Sequence, residues 1–445
     1  MTFRSRAPIV LTLFASLLII PVQYSLQAQP PAAQAACPAN PAWIQKPSQP
    51  NFAVDPTTLC GFYQYSWQSF LYLTSPSPSG ALVFESFPSV QDVFNPPMPT
   101  ALRTLTDARI KQRREFLPRF GKPSEAQAEQ RFKAALAAGA SFDEDQQAGS
   151  NGVLVSQTNL ITYYEELLDQ VSATFVNACS LQIAACQTAP AAAKLRMPTG
   201  AIEIKASWLP MMKSTPNVGR FYTIPGFPVM NNQGATFTPD FMALVGFHLV
   251  FATRSHPELI WASFEHVANA PDGPCVPGKA ALPPSGFKTW TYNNIADTTC
   301  KNVNTWPSPA PTKPPFPMTQ AVRVNPSGGG GADNVATIQS INQSVLKLLP
   351  ATSIWRNYFL VGGIWTDGTL PPTPANEKGS LALANSTMET FTQGTTTQPF
   401  SCFTCHNARG GQQPPFDVSH AFLQARSGNC SYSTQLPAAC TATQK

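Results

Sequence analysis

The sequence predicts an α+β fold, with a β-rich central body, flanking helices, long proline-rich loops and a C-terminal segment packed on that body. Three observations lead to this prediction. Segments with helical periodicity and segments with strand periodicity are segregated along the chain, which argues against a doubly wound parallel sheet. The chain has 45 prolines in 445 residues, and proline breaks helix interiors. Only 12% of the residues are charged, about half the average of a soluble domain, which excludes charge-driven disorder and a coiled coil.

The first 28 residues predict a secretory signal peptide. Arg4 and Arg6 form its charged start, residues 7–22 are an apolar run, and small residues such as Ala28 offer cleavage points. The run is shorter than the about 20 apolar residues of a membrane span, and an uncleaved N-terminal anchor is the alternative. Without the two arginines the net charge falls from +5 to +3, with 27 basic and 24 acidic residues, which predicts no nucleic-acid partner. We expect an exported chain, periplasmic or secreted, that is not transmembrane after cleavage.

Residues 29–375 are predicted to form the main body, and residues 376–445 a C-terminal segment integrated with it. Helices are predicted where apolar residues recur at helical spacing, at Cys60–Leu73, Pro123–Ala140, Gln157–Ala178, Asn334–Leu349 and Ser380–Gln393. Strands are predicted from β-branched and aromatic content, at Ala201–Trp208, Gly219–Ile224, Phe241–Phe251, Leu259–Phe264 and Trp355–Trp365. The tetraglycine Gly328–Gly331 lacks the Gly-Lys-Ser/Thr of a phosphate-binding loop and predicts a flexible loop instead.

The ten cysteines divide into two groups. Export favours disulfides, because oxidising compartments preserve them. Eight cysteines fall into couples that are close in sequence, and pairing of nearest neighbours is the favoured one of 105 connectivities. The favoured pairs are Cys37–Cys60, Cys179–Cys186, Cys275–Cys300 and Cys430–Cys440. Such bridges would hold down irregular, proline-rich loops that bury little apolar surface.

The two remaining cysteines, Cys402 and Cys405, precede His406 in a C-x-x-C-H pattern typical of covalent haem attachment. Two thiols one helical turn apart can each add to a haem vinyl group, and the adjacent imidazole can then bind the iron as proximal ligand. A thioredoxin-like redox pair is less favoured because no βαβ pattern surrounds the site. A zinc knuckle would need a second Cys/His couple at metal spacing. A plain disulfide leaves the histidine unexplained. The pattern therefore predicts one covalent haem c, carried by residues 376–445.

The sixth iron ligand decides between electron transfer and chemistry at the iron. No methionine lies beyond Cys405, so the candidates are Met388, His420 and His248. Each has a structural alternative: a core methionine, an exposed loop histidine and a core histidine within a strand. Only 39 residues follow His406, fewer than a separate cytochrome domain usually needs, so the haem is expected to pack against the larger body.

A second group of polar residues lies around His248, His256 and His266, with Glu258 and Glu265 between them. Glu265 and His266 could serve acid and base chemistry, but adjacent residues of a strand point to opposite faces of the sheet. Proline follows His256, so the H-E-x-x-H pattern of zinc proteases is absent. A structural role is favoured for this group.

Five blocks of the chain resemble a family of secreted bacterial cytochrome c proteins. The blocks are Tyr65–Leu73, Ile202–Trp208, Gly246–Pro271, Leu383–Gln393 and Ser401–His406. The resemblance implies export and one covalent haem carried by Cys402, Cys405 and His406. It assigns no substrate, and the other blocks carry no functional assignment.

Three functional hypotheses follow. The first is an electron carrier of the periplasm that exchanges electrons with redox partner proteins. The second is a haem oxidoreductase, such as a peroxidase, or a small-ligand sensor, with an open iron site. The third is a secreted binding protein, held by disulfides, that has no haem.

Overall fold

The centre of the molecule is an antiparallel sheet built from the β-branched and aromatic segments of the chain. The computed structural model describes residues 36–78, 80–94, 152–393, 400–406 and 418–444. The expected signal peptide (residues 1–28) and the expected helix Pro123–Ala140 lie outside these residues. Within them the fold is α+β, as predicted: a mostly antiparallel sheet accompanied by a few helices.

The strands are β1 Tyr163–Leu168, β2 Ile202–Met211, β3 Thr223–Pro225, β4 Val229–Met230, β5 Thr236–Phe237, β6 Phe241–Thr253, β7 His256–His266, β8 Tyr358–Thr366 and β9 Glu377–Gly379. The main sheet has the order β1-β2-β6-β7-β8-β9, with β3 paired to β6, and β4 and β5 form a separate ribbon. The long strands β2, β6, β7 and β8 confirm four of the five predicted strands. In place of Gly219–Ile224, a 3₁₀ turn at Val218–Arg220 precedes the short β3.

The α-helices among the described residues are α1 Ala42–Gln45, α2 Leu59–Leu73, α3 Val90–Phe94, α4 Gln170–Ala178, α5 Ala184–Gln187, α6 Ala332–Leu348, α7 Cys402–Cys405 and α8 Ala438–Ala442. Further 3₁₀ turns lie at Val83–Ser86, Pro190–Lys194, Pro326–Gly328, Ile354–Asn357 and His420–Gln424. Helices α2 and α6 confirm two predicted helices. None of the helices in the described part of the chain is both long and apolar enough to cross a membrane.

Helices α2 and α6 cover one face of the sheet. Thr58 caps α2 by accepting a hydrogen bond from the backbone N–H of Gly61 at 3.0 Å. Phe70 of α2 stacks on Phe264 of β7 with 4.2 Å between ring centroids, and Trp67 meets the same ring edge-on at 5.0 Å. These large rings are fully buried, so they supply much of the apolar contact that holds the sheet to its helices.

The predicted helix Gln157–Ala178 is wrong in its first half. Residues Tyr163–Leu168 form β1, which pairs with β2 over its whole length, and only Gln170–Ala178 is helical. Asp169 separates the two elements, because its carboxylate accepts hydrogen bonds from the N–H groups of Ser172 at 2.8 Å and Ile202 at 3.1 Å. It therefore caps α4 and ties that cap to the neighbouring strand.

The tetraglycine is an ordered turn packed against the sheet edge. Gly328, Gly329, Gly330 and Gly331 all have positive φ, which glycine adopts at little cost. A Cβ atom on Gly330 would lie 2.1 Å from the carbonyl oxygen of Gly379. The four glycines thus allow close contact between this turn and both the end of β9 and the segment that follows it.

Four disulfides use the eight cysteines outside the C-x-x-C-H pattern, and two of the predicted pairings are wrong. Cys37–Cys60 and Cys275–Cys300 are as predicted. The other four cysteines pair as Cys179–Cys440 and Cys186–Cys430, across 261 and 244 residues. The fold brings the C-terminal tail against α4 and α5, where the Tyr432 hydroxyl donates a hydrogen bond to the Cys179 carbonyl at 2.8 Å. Spatial neighbours, and not neighbours in sequence, therefore set these two bridges.

Candidate functional site

The face of the sheet opposite α2 and α6 presents three adjacent rows of side chains. Directly paired residues of antiparallel strands project to the same face, so the strand register defines each row from β2 through β6 to β7. The rows are Glu203, Val250 and Trp261; Lys205, His248 and Ser263; and Ser207, Gly246 and Glu265. All three rows contact the C-terminal segments that contain the candidate residues.

The segment Asn385–Glu389 lies on the second and third rows. The Asn385 side-chain amide donates to the Ser263 hydroxyl at 3.0 Å and to the Phe264 carbonyl at 3.1 Å. The Thr387 and Ser207 hydroxyls are 2.7 Å apart. Glycine is needed at Gly246, because a Cβ atom there would lie 2.2 Å from the Thr387 hydroxyl oxygen.

These contacts explain why the predicted helix Ser380–Gln393 is wrong. Residues 380–393 form turns without a helix. The Asn, Ser and Thr side chains of this segment bond to the sheet and to local backbone groups, which competes with the helical hydrogen-bond ladder. The register shift of the β7–β8 pairing lies between Ser263 and Phe264, beside the carbonyl that Asn385 uses, as is common for bulges next to special contacts.

A buried ion pair anchors the same segment. The Glu265 carboxylate accepts hydrogen bonds from the Ser386 N–H at 2.6 Å and from the Ser386 hydroxyl. It also pairs with the Arg323 guanidinium at 2.8 Å, and that guanidinium in turn contacts Asp272. Glu265 is fully buried and Arg323 is 3% exposed, so each charge depends on its partner for compensation.

Cys402 and Cys405 lie on the one-turn helix α7. The helix begins after Ser401, whose backbone N–H donates to the Thr404 hydroxyl at 3.1 Å, and the His406 N–H closes the turn on the Cys402 carbonyl at 2.9 Å. Both thiols are free, with Cys402 buried and Cys405 exposed. Burial, and then the negative charge of Glu389, raises the pKa of each thiol. Both sulfurs are therefore protonated thiols at neutral pH, and neither is in a disulfide.

The His406 imidazole is oriented by the carbonyl of Val418. Its Nδ1 lies 3.0 Å from that oxygen, so the Nδ1 proton is donated and the ring lone pair lies on Nε2. The Trp261 ring, in the first row of the sheet face, packs against the imidazole with 4.2 Å between centroids. Burial, and then the nearby His420 and Lys205, hold the pKa of His406 well below its ordinary value. The ring is therefore neutral at physiological pH, the form that binds metals.

His420 lies beside His406 and not across from it. The two imidazoles stack with 3.9 Å between centroids and 23° between planes. Ligands on opposite sides of one iron must point at each other along a common axis. Face-to-face rings cannot do this, so the arrangement in the structure argues against His420 as the sixth ligand.

The other two candidates for the sixth ligand lie on or beside the second row. His248 is buried on β6, and its Nε2 lies 3.3 Å from the Glu389 carboxylate. Met388 is 1% exposed and directly precedes Glu389. His248 thus has a carboxylate neighbour. Met388 is buried within the segment that covers the sheet.

The chemistry of these groups fits a covalently bound haem. The turn offers two free thiols and a neutral imidazole with its lone pair on Nε2. The buried Nε1 of Trp261 has no hydrogen-bond partner among the described residues, and it belongs to the ring that contacts His406. No cluster of three or more His, Cys, Asp or Glu side chains in the described residues could hold a metal ion without a cofactor.

The other histidines lie at separate places on the sheet. His256 pairs with Glu258 at 2.8 Å. His266 stacks on Phe221 at 3.7 Å, and burial lowers the pKa of His266 to about 3. Glu265 and His266 contact different partners, Ser386 and Phe221. These contacts support the structural role that was favoured for this group.

Three residues of the site were not identified from the sequence: Trp261, Glu203 and Val418. The alternation in Ile202–Trp208 indicates that Glu203, Lys205 and Ser207 share one face, which was the available signal for Glu203. Nothing local marks the other two, because their contacts with His406 arise from pairing of strands and from the return of the chain after the motif.

Comparison of the chain with protein-family models, with curated proteins and with solved structures finds no match.

Proposed function

We propose that the protein is an exported c-type cytochrome that carries one covalent haem and transfers electrons to or from redox partner proteins. The observation that carries the proposal is the state of the ten cysteines. Eight form disulfides, and the two free thiols are those of the C-x-x-C-H turn. A neutral imidazole follows them directly.

Each residue of the turn has a role in this proposal. Cys402 and Cys405 would hold the haem through thioether bonds, formed by addition of each S–H group across a vinyl group. His406 would hold the iron through Nε2, while the Val418 carbonyl accepts the hydrogen bond from Nδ1. A bound haem supplies a one-electron centre whose potential depends on its axial ligands and on burial.

The four disulfides support export, since such bonds form and persist in oxidising compartments. The contacts of the turn with the sheet support a haem held against the main body. Phe403 is buried and meets Trp261 edge-on at 6.3 Å between centroids. We therefore expect the haem-attachment segment to act as part of the body.

Haem staining after denaturation tests the proposal. The full chain, expressed in a host with haem-maturation machinery, is expected to keep a stained band in denaturing gels. The variant Cys402→Ser/Cys405→Ser is expected to lose the stain. The variant Cys275→Ser/Cys300→Ser, which removes a disulfide instead, is expected to keep it. A colourless wild-type protein would refute both haem hypotheses and leave the disulfide-held binding protein.

A second candidate is a haem oxidoreductase or ligand sensor with an open iron site. The placement of His420 beside His406, and of a carboxylate beside His248, favours it. Carbon monoxide separates the two candidates: a reduced spectrum that carbon monoxide leaves unchanged supports the electron carrier, and ready binding supports the open site.

A further inference from the structure

We propose that Glu203 is a positioning residue for the proximal histidine, acting through Ser419 and Val418. This inference rests on the proposed function, in which His406 binds the haem iron. It assigns a role to a carboxyl group on β2 that touches neither the motif nor the iron.

The geometry is a short relay of two hydrogen bonds joined by one peptide unit. The Ser419 hydroxyl donates to Glu203 Oε2 at 2.8 Å. The preceding residue, Val418, accepts the hydrogen bond from His406 Nδ1 at 3.0 Å. Ser419 is therefore held to the sheet, and the adjacent Val418 is held to the His406 imidazole.

Another anchor of this segment lies on its other side. Phe422 is buried and meets Phe94 edge-on at 5.7 Å between centroids, and its carbonyl accepts from the Gln187 side chain at 3.0 Å. Ser419 is fully buried and Val418 is 1% exposed. The position of the Val418 carbonyl thus depends on Phe422 downstream and on the Glu203 contact at Ser419 itself.

Burial of the Glu203 carboxyl group costs free energy of folding. This cost argues that its contact with Ser419 does more than stabilise the fold. Glu203 Oε1 is buried and has no hydrogen-bond partner among the described residues. Burial, together with the nearby carboxylates of Glu166 and Asp169, raises the pKa of Glu203 to about 7, although the hydrogen bond from Ser419 acts in the opposite direction. Lys205, two residues along the same strand, lies 4.0 Å from Glu166. A buried carboxyl that is only half satisfied costs free energy of folding.

The benefit of the relay is electronic as well as positional. Partners that hold the second ring nitrogen of a metal-bound histidine fix its orientation and raise its basicity as a ligand. A Val418 carbonyl held in line with Nδ1–H strengthens donation from Nε2 to iron, which stabilises the oxidised state. Loss of the Glu203–Ser419 contact is therefore expected to raise the reduction potential of the haem.

The test compares Glu203→Ala, Glu203→Gln, Ser419→Ala and the double variant Glu203→Ala/Ser419→Ala. We expect each alanine variant to keep covalent haem and to raise the midpoint potential, the double variant to shift it no further than either single one, and Glu203→Gln to shift it less. Asp55→Ala is the matched control, because the Asp55 carboxylate accepts a hydroxyl bond from Thr253 at 2.7 Å. It is expected to leave the potential unchanged.

Unchanged potentials in Glu203→Ala and Ser419→Ala, or additive shifts in the double variant, would overturn the proposal. If Glu203→Ala does not fold, the comparison of Glu203→Gln with Ser419→Ala decides by the same criteria. A readout without haem separates this proposal from the proposed function. In Cys402→Ser/Cys405→Ser, the Nδ1 proton of His406 is expected to exchange faster with water once Ser419→Ala is added, and an unchanged rate would count against the relay.

Discussion

The imidazole rings of His406 and His420 stack face to face, with 3.9 Å between their centroids. The same two residues were predicted from the sequence as the proximal ligand and as one candidate for the distal ligand. Stacked rings share one side of any iron that His406 binds, so only one of the two can be its axial ligand. The Val418 contact at Nδ1 leaves the lone pair of His406 on Nε2, which favours His406 for that role in the proposed haem site.

We therefore predict that His420→Ala keeps the iron coordination of the wild-type protein. The visible spectrum of the reduced protein and its response to carbon monoxide are the measurements. Met388→Ala is the companion variant, since its buried thioether is a remaining candidate. New carbon monoxide binding in His420→Ala, absent from the wild type, would contradict the stacked arrangement.

The raised pKa of Glu203 predicts a pH dependence of stability. Burial raises the pKa to about 7 from the ordinary value of 4.5, so the folded state keeps a proton that the unfolded state has lost. The contribution of Glu203 to stability is therefore fully present below pH 4.5 and is lost as the pH rises to about 7. Over this range the free energy of unfolding of Glu203→Gln, relative to that of the wild type, should increase by up to about 3 kcal/mol. Urea unfolding at pH 5 and pH 8 measures this difference.

Ser419→Ala serves as the control for this titration. It keeps the Glu203 carboxyl group and removes the hydrogen bond that favours the ionised form. Its stability should fall at least as steeply with pH as that of the wild type. A constant stability difference between Glu203→Gln and the wild type would show that Glu203 titrates alike in both states.

The two long-range disulfides predict a non-additive loss of stability. With Cys186–Cys430 intact, the bridge Cys179–Cys440 closes only a small loop of about 20 residues, so its removal costs about 3 kcal/mol in the chain-entropy model. Removal of the second bridge then opens a loop across 244 residues, which costs about 5 kcal/mol more. Urea unfolding of the single and double bridge variants measures this.

Peptide mapping under non-reducing conditions checks the pairing itself. Peptides containing Cys179 and Cys440 are expected to be joined, as are those containing Cys186 and Cys430. Equal and additive costs for the two bridges would contradict the nested arrangement, and so would a linked peptide containing Cys430 and Cys440.

The buried pair of Arg323 and Glu265 predicts a large cost when one partner is removed. Arg323→Met leaves the Glu265 carboxylate buried without its cation, and this is expected to lower the free energy of unfolding by about 3–5 kcal/mol. The double variant Arg323→Met/Glu265→Gln should recover part of that loss. Arg356→Met is the control, because Arg356 is exposed and its guanidinium donates to the Leu346 and Leu349 carbonyls. A loss below about 1 kcal/mol in Arg323→Met would show that Glu265 does not need its cation.

The elements predicted well are those specified by local periodicity. Helix α2 and strand β6 have apolar patterns that lie within a short stretch of sequence, and most of their residues are buried in the fold. The two wrong helices depend on distant partners. Residues 163–168 form a strand, and not a helix, because β2 pairs with them. Residues 385–389 are not helical because polar groups of the sheet form hydrogen bonds with this segment. No short window of sequence contains those partners.

The same distinction applies to the site. The spacing of Cys402, Cys405 and His406 is local, and it was sufficient to single them out. Trp261 and Val418 reach His406 only through the folded sheet and the returning chain. The disulfide partners of Cys179 and Cys186 are also distant in sequence, so proximity along the chain led to the wrong pairing.

The Cys186–Cys430 bridge makes the chain between these two residues a covalent ring, and Cys402, Cys405 and His406 all lie within that ring. A single backbone cleavage anywhere from residue 187 to residue 429 would therefore open the ring without releasing a fragment. A protease that cuts once between His406 and Val418 would leave both halves of the site on one molecule until a reductant is added. The connectivity of the chain thus keeps the two parts of the proposed haem site together after a single cut.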